Sequence, residues 1–219
     1  MVNAYLFNIV LCILIHVLAT SVVNGLTREC SGSDFQMRRS SQITQRKWGV
    51  LEQIENTRHH GSTFRLFLQD DGVFPNNSQH PLLLFQSAFQ RSESEGSSIL
   101  KTAGWTSPWV WGIFPYHHYH SNAWEILVCV RGNANVKLGG PTGPIVPVNC
   151  GDIVLIPPGI AHKQLNASRD FALLGSYPPK APSVDLLTDA PTDAQRRTIA
   201  KVFAPEQEPI TGSLLSNLY

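Results

Sequence analysis

"GIFPYHHYHSNAWEILVCVRG", residues 112–132, poses the fold problem, because it crowds His117, His118, His120 and Glu125 into a stretch that ends as a β-type run. On a strand, alternate side chains share a face, so His118 and His120 point one way and His117 and Tyr119 the other. Glu125 lies an odd number of positions beyond His120, and an unbroken strand would turn it to the wrong side. "SNAW" (121–124) is therefore predicted to hold a bulge or irregular turn that resets the phase before "EILVCV" continues. Gly112 and Gly132 flank the run, where glycine permits tight strand ends.

A second stretch answers the first. "GDIVLIPPGIAHKQLN", residues 151–166, begins at Gly151, runs through an apolar strand, turns at Pro157-Pro158-Gly159 and presents His162. If the strands on either side of that turn pack over the first pair, His162 meets His118, His120 and Glu125. Three neutral imidazoles and one carboxylate suit a divalent first-row metal and leave coordination positions for water or substrate. Tetrahedral structural zinc is the competing geometry, but such sites usually use cysteine. The bland alternative is three ordinary polar residues at strand ends.

The surrounding chain reads as short strands separated by turn residues. "TFRLFLQ" (63–69) alternates, "DDGVFPNN" (70–77) supplies turn chemistry, and "PLLLF" (81–85) is a brief apolar run. "ANVKLGG" (134–140), "PIVPVN" (144–149) and "FALLGSY" (171–177) continue the pattern. Two short helices are predicted within 95–104 and 192–203, the first ended by Gly104, and a third within 43–56 with Ile43, Val50, Leu51 and Ile54 as its apolar side. No internal repeat is visible. The fold class is therefore all-β, an antiparallel sandwich or barrel with short flanking helices. Residues 26–62 are a polar lead-in, 63–212 one domain, and 213–219 a tail.

Composition agrees and excludes some partners. With 42% apolar and 15% charged residues a packed core is accessible, and 15 prolines with 16 glycines favour many tight turns over helices. A net charge of +1 builds in no general attraction to nucleic acid or to an anionic membrane.

"YLFNIVLCILIHVLATSVV" (5–23) stands apart as a long apolar segment. Its polar interruptions weaken a stable span, so a cleaved signal peptide within residues 1–25 and a secreted product are preferred over a membrane anchor. A membrane partner enters only if the segment is uncleaved, and a cytoplasmic chain with a mis-assigned start stays open. Cys12 would leave with a signal, and Cys129 and Cys150 read as buried small hydrophobes rather than a disulfide. Sequons at Asn76 and Asn166 could carry glycans in the secretory pathway.

Residues 112–132 resemble the first motif of the cupin superfamily, G-x5-H-x-H-x4-E-x6-G, at every specified position, and residues 151–166 resemble the second, G-x5-P-x-G-x2-H-x3-N, equally fully. At average usage such a coincidence falls below about 10⁻¹² per start position. The resemblance implies a cupin-type (RmlC-like) jelly-roll barrel with His118, His120, Glu125 and His162 as ligands of one divalent transition metal, whether Mn, Fe, Zn, Cu or Ni. A narrower likeness, to a mostly bacterial family of small single-domain cupins, covers most of 63–212. Within that family Trp124 stands where histidine is common, and "WVWGIF" (109–114) replaces a more polar stretch.

The same resemblance implies dioxygenase, oxidase, decarboxylase or sugar-phosphate isomerase chemistry on a small molecule. An oxidoreductase is preferred, since no Lys and Arg cluster near the motifs grips a phosphate. A barrel that binds a small ligand without turnover is the alternative, and a metal serving only as a staple is the third reading. Gln164, which shares parity with His162, together with Tyr116 and Trp111 from the aromatic-rich approach, are the candidate pocket residues. Asn166 is read as a turn residue. Barrels of this type usually dimerise, and "TFRLFLQ" is the segment expected to add to a neighbour's sheet in a homodimer.

Overall fold

The apolar runs differ in rhythm, and the rhythm follows where each strand sits in the computed structural model, which describes residue 49 and residues 51–219. The signal-like segment, the lead-in up to residue 48, Cys12 and Cys30 lie outside the described residues. Ten strands, all paired antiparallel, are described: Leu51–Ile54 (β1), Thr63–Leu68 (β2), Asn77–Phe85 (β3), Thr106–Trp111 (β4), Glu125–Arg131 (β5), Asn133–Leu138 (β6), Ile145–Asn149 (β7), Ile153–Ile156 (β8), His162–Ala167 (β9) and Ala172–Tyr177 (β10). They form a seven-stranded sheet in the order β1-β2-β3-β8-β5-β10-β4 and a three-stranded sheet in the order β7-β6-β9. This is the all-β, antiparallel cupin-type barrel expected from the sequence, a double-sheet jelly roll.

The larger sheet is buried on both faces at its centre. Leu82 and Leu84 of β3, Leu127 and Cys129 of β5, and Val154 and Ile156 of β8 face the inter-sheet core. Their alternates Leu83, Phe85, Ile126, Val128, Ile153 and Leu155 face outward into a second apolar layer. Strands buried on both faces read as continuous apolar runs, which is why "LLLF", "EILVCV" and "IVLI" show no alternation. The smaller sheet buries one face only. Val136, Leu138, Val146 and Val148 point inward while Asn133 and Ile145 are exposed, so β6 and β7 alternate. Truncating an inward residue such as Leu127 to alanine costs roughly 2–5 kcal/mol.

The outer layer is closed by what precedes and follows the barrel strands. Helix α1, Glu93–Thr102, starts with a reciprocal capping box between Ser92 and Glu95 and lays Leu100 against the sheet. A 3-10 turn over Leu215–Asn217 adds Leu215 and Leu218 to the same layer, so residues 213–219 are part of the core and not a loose tail. Helix α2, Asp193–Ile199, is also capped by a box, from Thr192 to Gln195.

Two local expectations need correction, and one strand was not foreseen. The helix predicted across 43–56 is not formed where the structure describes it: Leu51–Ile54 is strand β1, paired along its length with β2. Its two intermediate and two exposed positions make an edge strand, and four residues at the end of a sheet satisfy either period. For the same reason β2 has β1 on one side and β3 on the other, so "TFRLFLQ" offers no free edge for a neighbouring copy. Strand β4 was hidden by Pro108; it lies at the sheet's far edge, where proline is tolerated.

Candidate metal centre

His118 and His120 do not lie on a regular strand. His118 forms an isolated antiparallel bridge with His162, and Tyr119 another with Leu187, so the segment is extended and the alternation predicted for a strand survives. His118 and His120 face the barrel's interior end. Tyr119 faces the other way into a small cluster with Phe74, Ala161 and Ile199, and His117 lies 5.4 Å from the Phe74 ring. The phase reset falls at Ser121-Asn122, which the sequence located but whose support it did not show. Asp185 holds this turn: its carboxylate accepts from the Ser121 backbone N–H at 2.7 Å, and its own N–H donates to Asn122 Oδ1 at 3.2 Å. Beyond the reset, Glu125 enters β5 on the same face as Leu127 and Cys129, inside the barrel.

His162 arrives through the Pro157–Gly159 turn. Gly159 sits at φ +92°, its N–H donates to His120 O at 2.7 Å, and a Cβ there would lie 2.4 Å from Asn76 O. Only glycine meets both demands. The side chain of Asn76, itself buried, donates to Gln69 O and Gly139 O and accepts from the Ala161 N–H, while Asn77 Nδ2 donates to Pro158 O. The pair read as simple turn residues is thus the brace of the second motif, and Asn76 has no amide proton to spare for a glycan.

The structure brings the four expected residues together. His118, His120, Glu125 and His162 are all buried, and one ring nitrogen from each of the three histidines lies within 4.8 Å of the others. Glu125 Oε2 stands 3.2 Å from His162 Nε2 and 3.6 Å from His120 Nε2 without hydrogen-bond geometry to either. That buried carboxylate oxygen has no protein hydrogen-bond partner.

Each Nδ1 faces a backbone carbonyl: His118 that of Tyr116 at 3.3 Å, His162 that of Ile160 at 3.1 Å, and His120 that of Asp185. A carbonyl can only accept, so each Nδ1 carries a proton, and once its ring is neutral each Nε2 presents a lone pair. Three lone pairs and an unpartnered carboxylate oxygen facing one point fit a divalent cation.

Electrostatics follow the same geometry. Burial pushes the His118 imidazolium down to about 3, with His162 adding to the effect and Glu125 opposing it. Burial lowers His120 as well, but the Glu125 carboxylate outweighs burial and raises its pKa. Glu125 itself would be raised by burial, yet His120 and His162 hold it well below the usual carboxylate range. The phenol of Tyr177, raised by burial and then by the Glu125 charge, stays protonated.

A cavity of about 60 Å³ opens on the four residues. Its other walls are Trp109, Gly112, Ile113, Phe114, Leu127, Tyr177 and Leu186. None of the three pocket residues expected from the sequence lines it. Gln164 turns its amide oxygen to the Ile113 N–H at 3.4 Å, Tyr116 stacks on Phe114 outside the cavity with ring centroids 5.0 Å apart, and Trp111 is 73% exposed. Trp109 takes the position expected of Trp111, lying so close to β10 that a Cβ on Gly175 would sit 2.2 Å from its ring.

Tyr177, Asp185 and Leu186 were missed; a tyrosine at a strand end and a polar loop carry no spacing signal. Trp124, the departure from the narrower family, immediately precedes β5 and is fully buried in the outer apolar layer beside His80, with ring centroids 5.4 Å apart, so it leaves the interior untouched. Asn166 lies exposed within β9, bonded to Asn135 across the sheet, and not in a turn. Cys129 is a free buried thiol, pushed up to about 12 by burial, whereas Cys150 is disulfide-bonded, against the expectation that it is a small hydrophobe.

An antiparallel two-sheet barrel that gathers three histidines and a carboxylate at one end defines a cupin-type protein with a site able to hold a metal ion. More narrowly, the chain belongs to the family of the uncharacterized protein YjlB of Bacillus subtilis (strain 168), with 38% identity over 148 residues, 67% of this chain and 88% of that protein. No family model matches the chain. Among solved structures it is similar to the 11S allergen of Cocos nucifera (15% identity, 58% of this chain, 24% of that chain, TM-score 0.27). It is also similar to a DUF1255 protein of unknown function from Acidithiobacillus ferrooxidans (16%, 58% and 89%, TM-score 0.23). A third is the oxalate decarboxylase of Lactobacillus farciminis (13%, 63% and 33%, TM-score 0.26). The chain spans about a quarter of the coconut protein's length, and likenesses this distant say nothing about its activity.

Proposed function

We propose that His118, His120, Glu125 and His162 hold one divalent transition metal and that the protein is a small-molecule oxidoreductase of the dioxygenase or oxidase kind. The convergence of three Nδ1-protonated imidazoles on a buried, unpartnered carboxylate oxygen carries this reading. When bound, the metal would polarise a substrate oxygen or couple substrate oxidation to dioxygen. The chain supplies the rest. Backbone carbonyls fix the three tautomers, apolar walls line the approach, and the Tyr177 hydroxyl is engaged with the Glu125 carboxylate, which it steadies.

The Cys150 disulfide supports an oxidising compartment, and with it the secretory reading of the N-terminal segment. Such a compartment favours Mn, Cu or Zn over Fe(II). The test is elemental analysis of the purified protein beside the His120→Ala and His162→Ala variants. Stoichiometric metal in the parent and loss in both variants is the expected result. Turnover abolished in folded His120→Ala separates an enzyme from a binding module, which would lose ligand affinity with no turnover in the parent.

A further inference from the structure

We infer that the ligand of this site is a small organic molecule with a compact, singly anionic oxygen head and an uncharged apolar remainder, and that it is not a phosphate ester or a polycarboxylate. This rests on the metal reading above. The head is set by the interior. About 60 Å³ is available, against the ~10–15 Å³ that one water needs, so only a group of a few heavy atoms enters fully. Three neutral imidazoles and one carboxylate leave a divalent ion with a single net positive charge. Among the described residues lining the cavity none is Lys or Arg, and the polar groups besides the four ligands are the Trp109 indole and the Tyr177 hydroxyl. One negative charge is neutralised there, and the Tyr177 side chain is engaged with both Trp109 and Glu125. A second would stand unpaired between apolar walls, which is costly.

The remainder is set by the rim. Leu186 and Phe114 each contribute a wall of the cavity and also reach solvent, at 44% and 41% exposure. Tyr116, 44% exposed, extends the Phe114 surface by stacking on it at an interplanar angle of 18°. An isolated exposed leucine or phenylalanine is ordinary. Three exposed side chains with apolar faces on two separate segments, two of them also walls of the cavity, form a contact surface for the part of the molecule that does not fit inside.

The experiment uses the zinc-reconstituted full-length protein and three hydroxamates that share one metal-binding head, titrated calorimetrically. Benzohydroxamate is expected to bind at least tenfold more tightly than acetohydroxamate, and phosphonoacetohydroxamate no more tightly than acetohydroxamate. Leu186→Ser and Phe114→Ser, both at partly exposed positions, should each cut benzohydroxamate affinity about tenfold and acetohydroxamate affinity less than threefold. Equal affinity for the phenyl and methyl compounds, tightest binding by the phosphonate, or zinc bound with no hydroxamate binding would each overturn the inference. Failure of zinc itself to bind would instead overturn the metal reading, and this inference with it.

Discussion

His118 and His162 exchange backbone hydrogen bonds, N–H to O at 3.2 Å and 2.9 Å, and their rings lie 4.1 Å apart between centroids. The two motifs therefore meet through backbone as well as through their rings, and the pair's separation is set by main chain rather than by side-chain rotamers. His162→Ala should abolish stoichiometric metal binding yet leave this bridge and the far-ultraviolet circular dichroism of the β-fold intact. A variant that loses its strand signal would show the ring to be needed for folding and not for a ligand.

Protonation gives a second prediction. The raised pKa of His120 arises from its neighbour Glu125, and in the metal-free protein it contributes stability that is complete below the unfolded value of 6.5 and lost as pH rises through the folded value. A ligating imidazole must be neutral, so metal uptake near pH 7 should release a proton, and less of one as pH rises. Calorimetric titration in buffers of differing ionisation enthalpy reads this directly. A proton count of zero across pH 6–8 would contradict the His120–Glu125 coupling.

His118 acts with the opposite sign. Held neutral down to about 3 in the fold but titrating near 6.5 when unfolded, it lets the unfolded chain take up a proton that the folded chain does not. Its contribution is complete above 6.5 and falls by about 1.4 kcal/mol per pH unit below it. Denaturant unfolding of the metal-free protein should show this slope relative to His118→Gln between pH 6 and 4. Parallel pH profiles for the two would refute burial of a neutral imidazole.

Asp185 positions His120 without touching a ligand atom of the site. Its carboxylate holds the Ser121 N–H and its carbonyl accepts from His120 Nδ1. Asp185→Ala should weaken metal affinity about 10–100-fold while Asp185→Asn, whose amide oxygen can still accept from the Ser121 N–H, recovers much of it. Equal losses in both variants would mean that the charge matters and the hydrogen bond does not.

Gly175 makes room for an aromatic wall. A Cβ there would lie 2.2–2.5 Å from three atoms of the Trp109 ring. Gly175→Ala should drive the indole out of the cavity wall, raising its accessibility to acrylamide quenching, and cost roughly 1–3 kcal/mol as an overpacked site. Unchanged quenching would place Trp109 elsewhere.

Much of this was legible because strands betray themselves by burial. The continuous runs in β3, β5 and β8 and the alternation in β6 and β7 mark two-sided and one-sided sheets. The four positions of the candidate metal site were legible because two motifs space them. What stayed hidden depends on contacts with no sequence period. Leu51–Ile54 is too short to distinguish helix from strand. Pro108 masks an edge strand, and Asp185, Leu186 and Tyr177 reach the site only through folding of the segment after β10. Gln164, Tyr116 and Trp111 were chosen by parity and composition, which say which side a residue takes but not how deep it lies.

X-ray absorption on the zinc-reconstituted protein reads whether three imidazoles and a carboxylate share one cation. A first shell of nitrogen and oxygen at about 2.0–2.2 Å with the outer scattering of three imidazoles, reduced by one in His162→Ala, is expected. A sulfur shell, or a spectrum unchanged by that substitution, would contradict it.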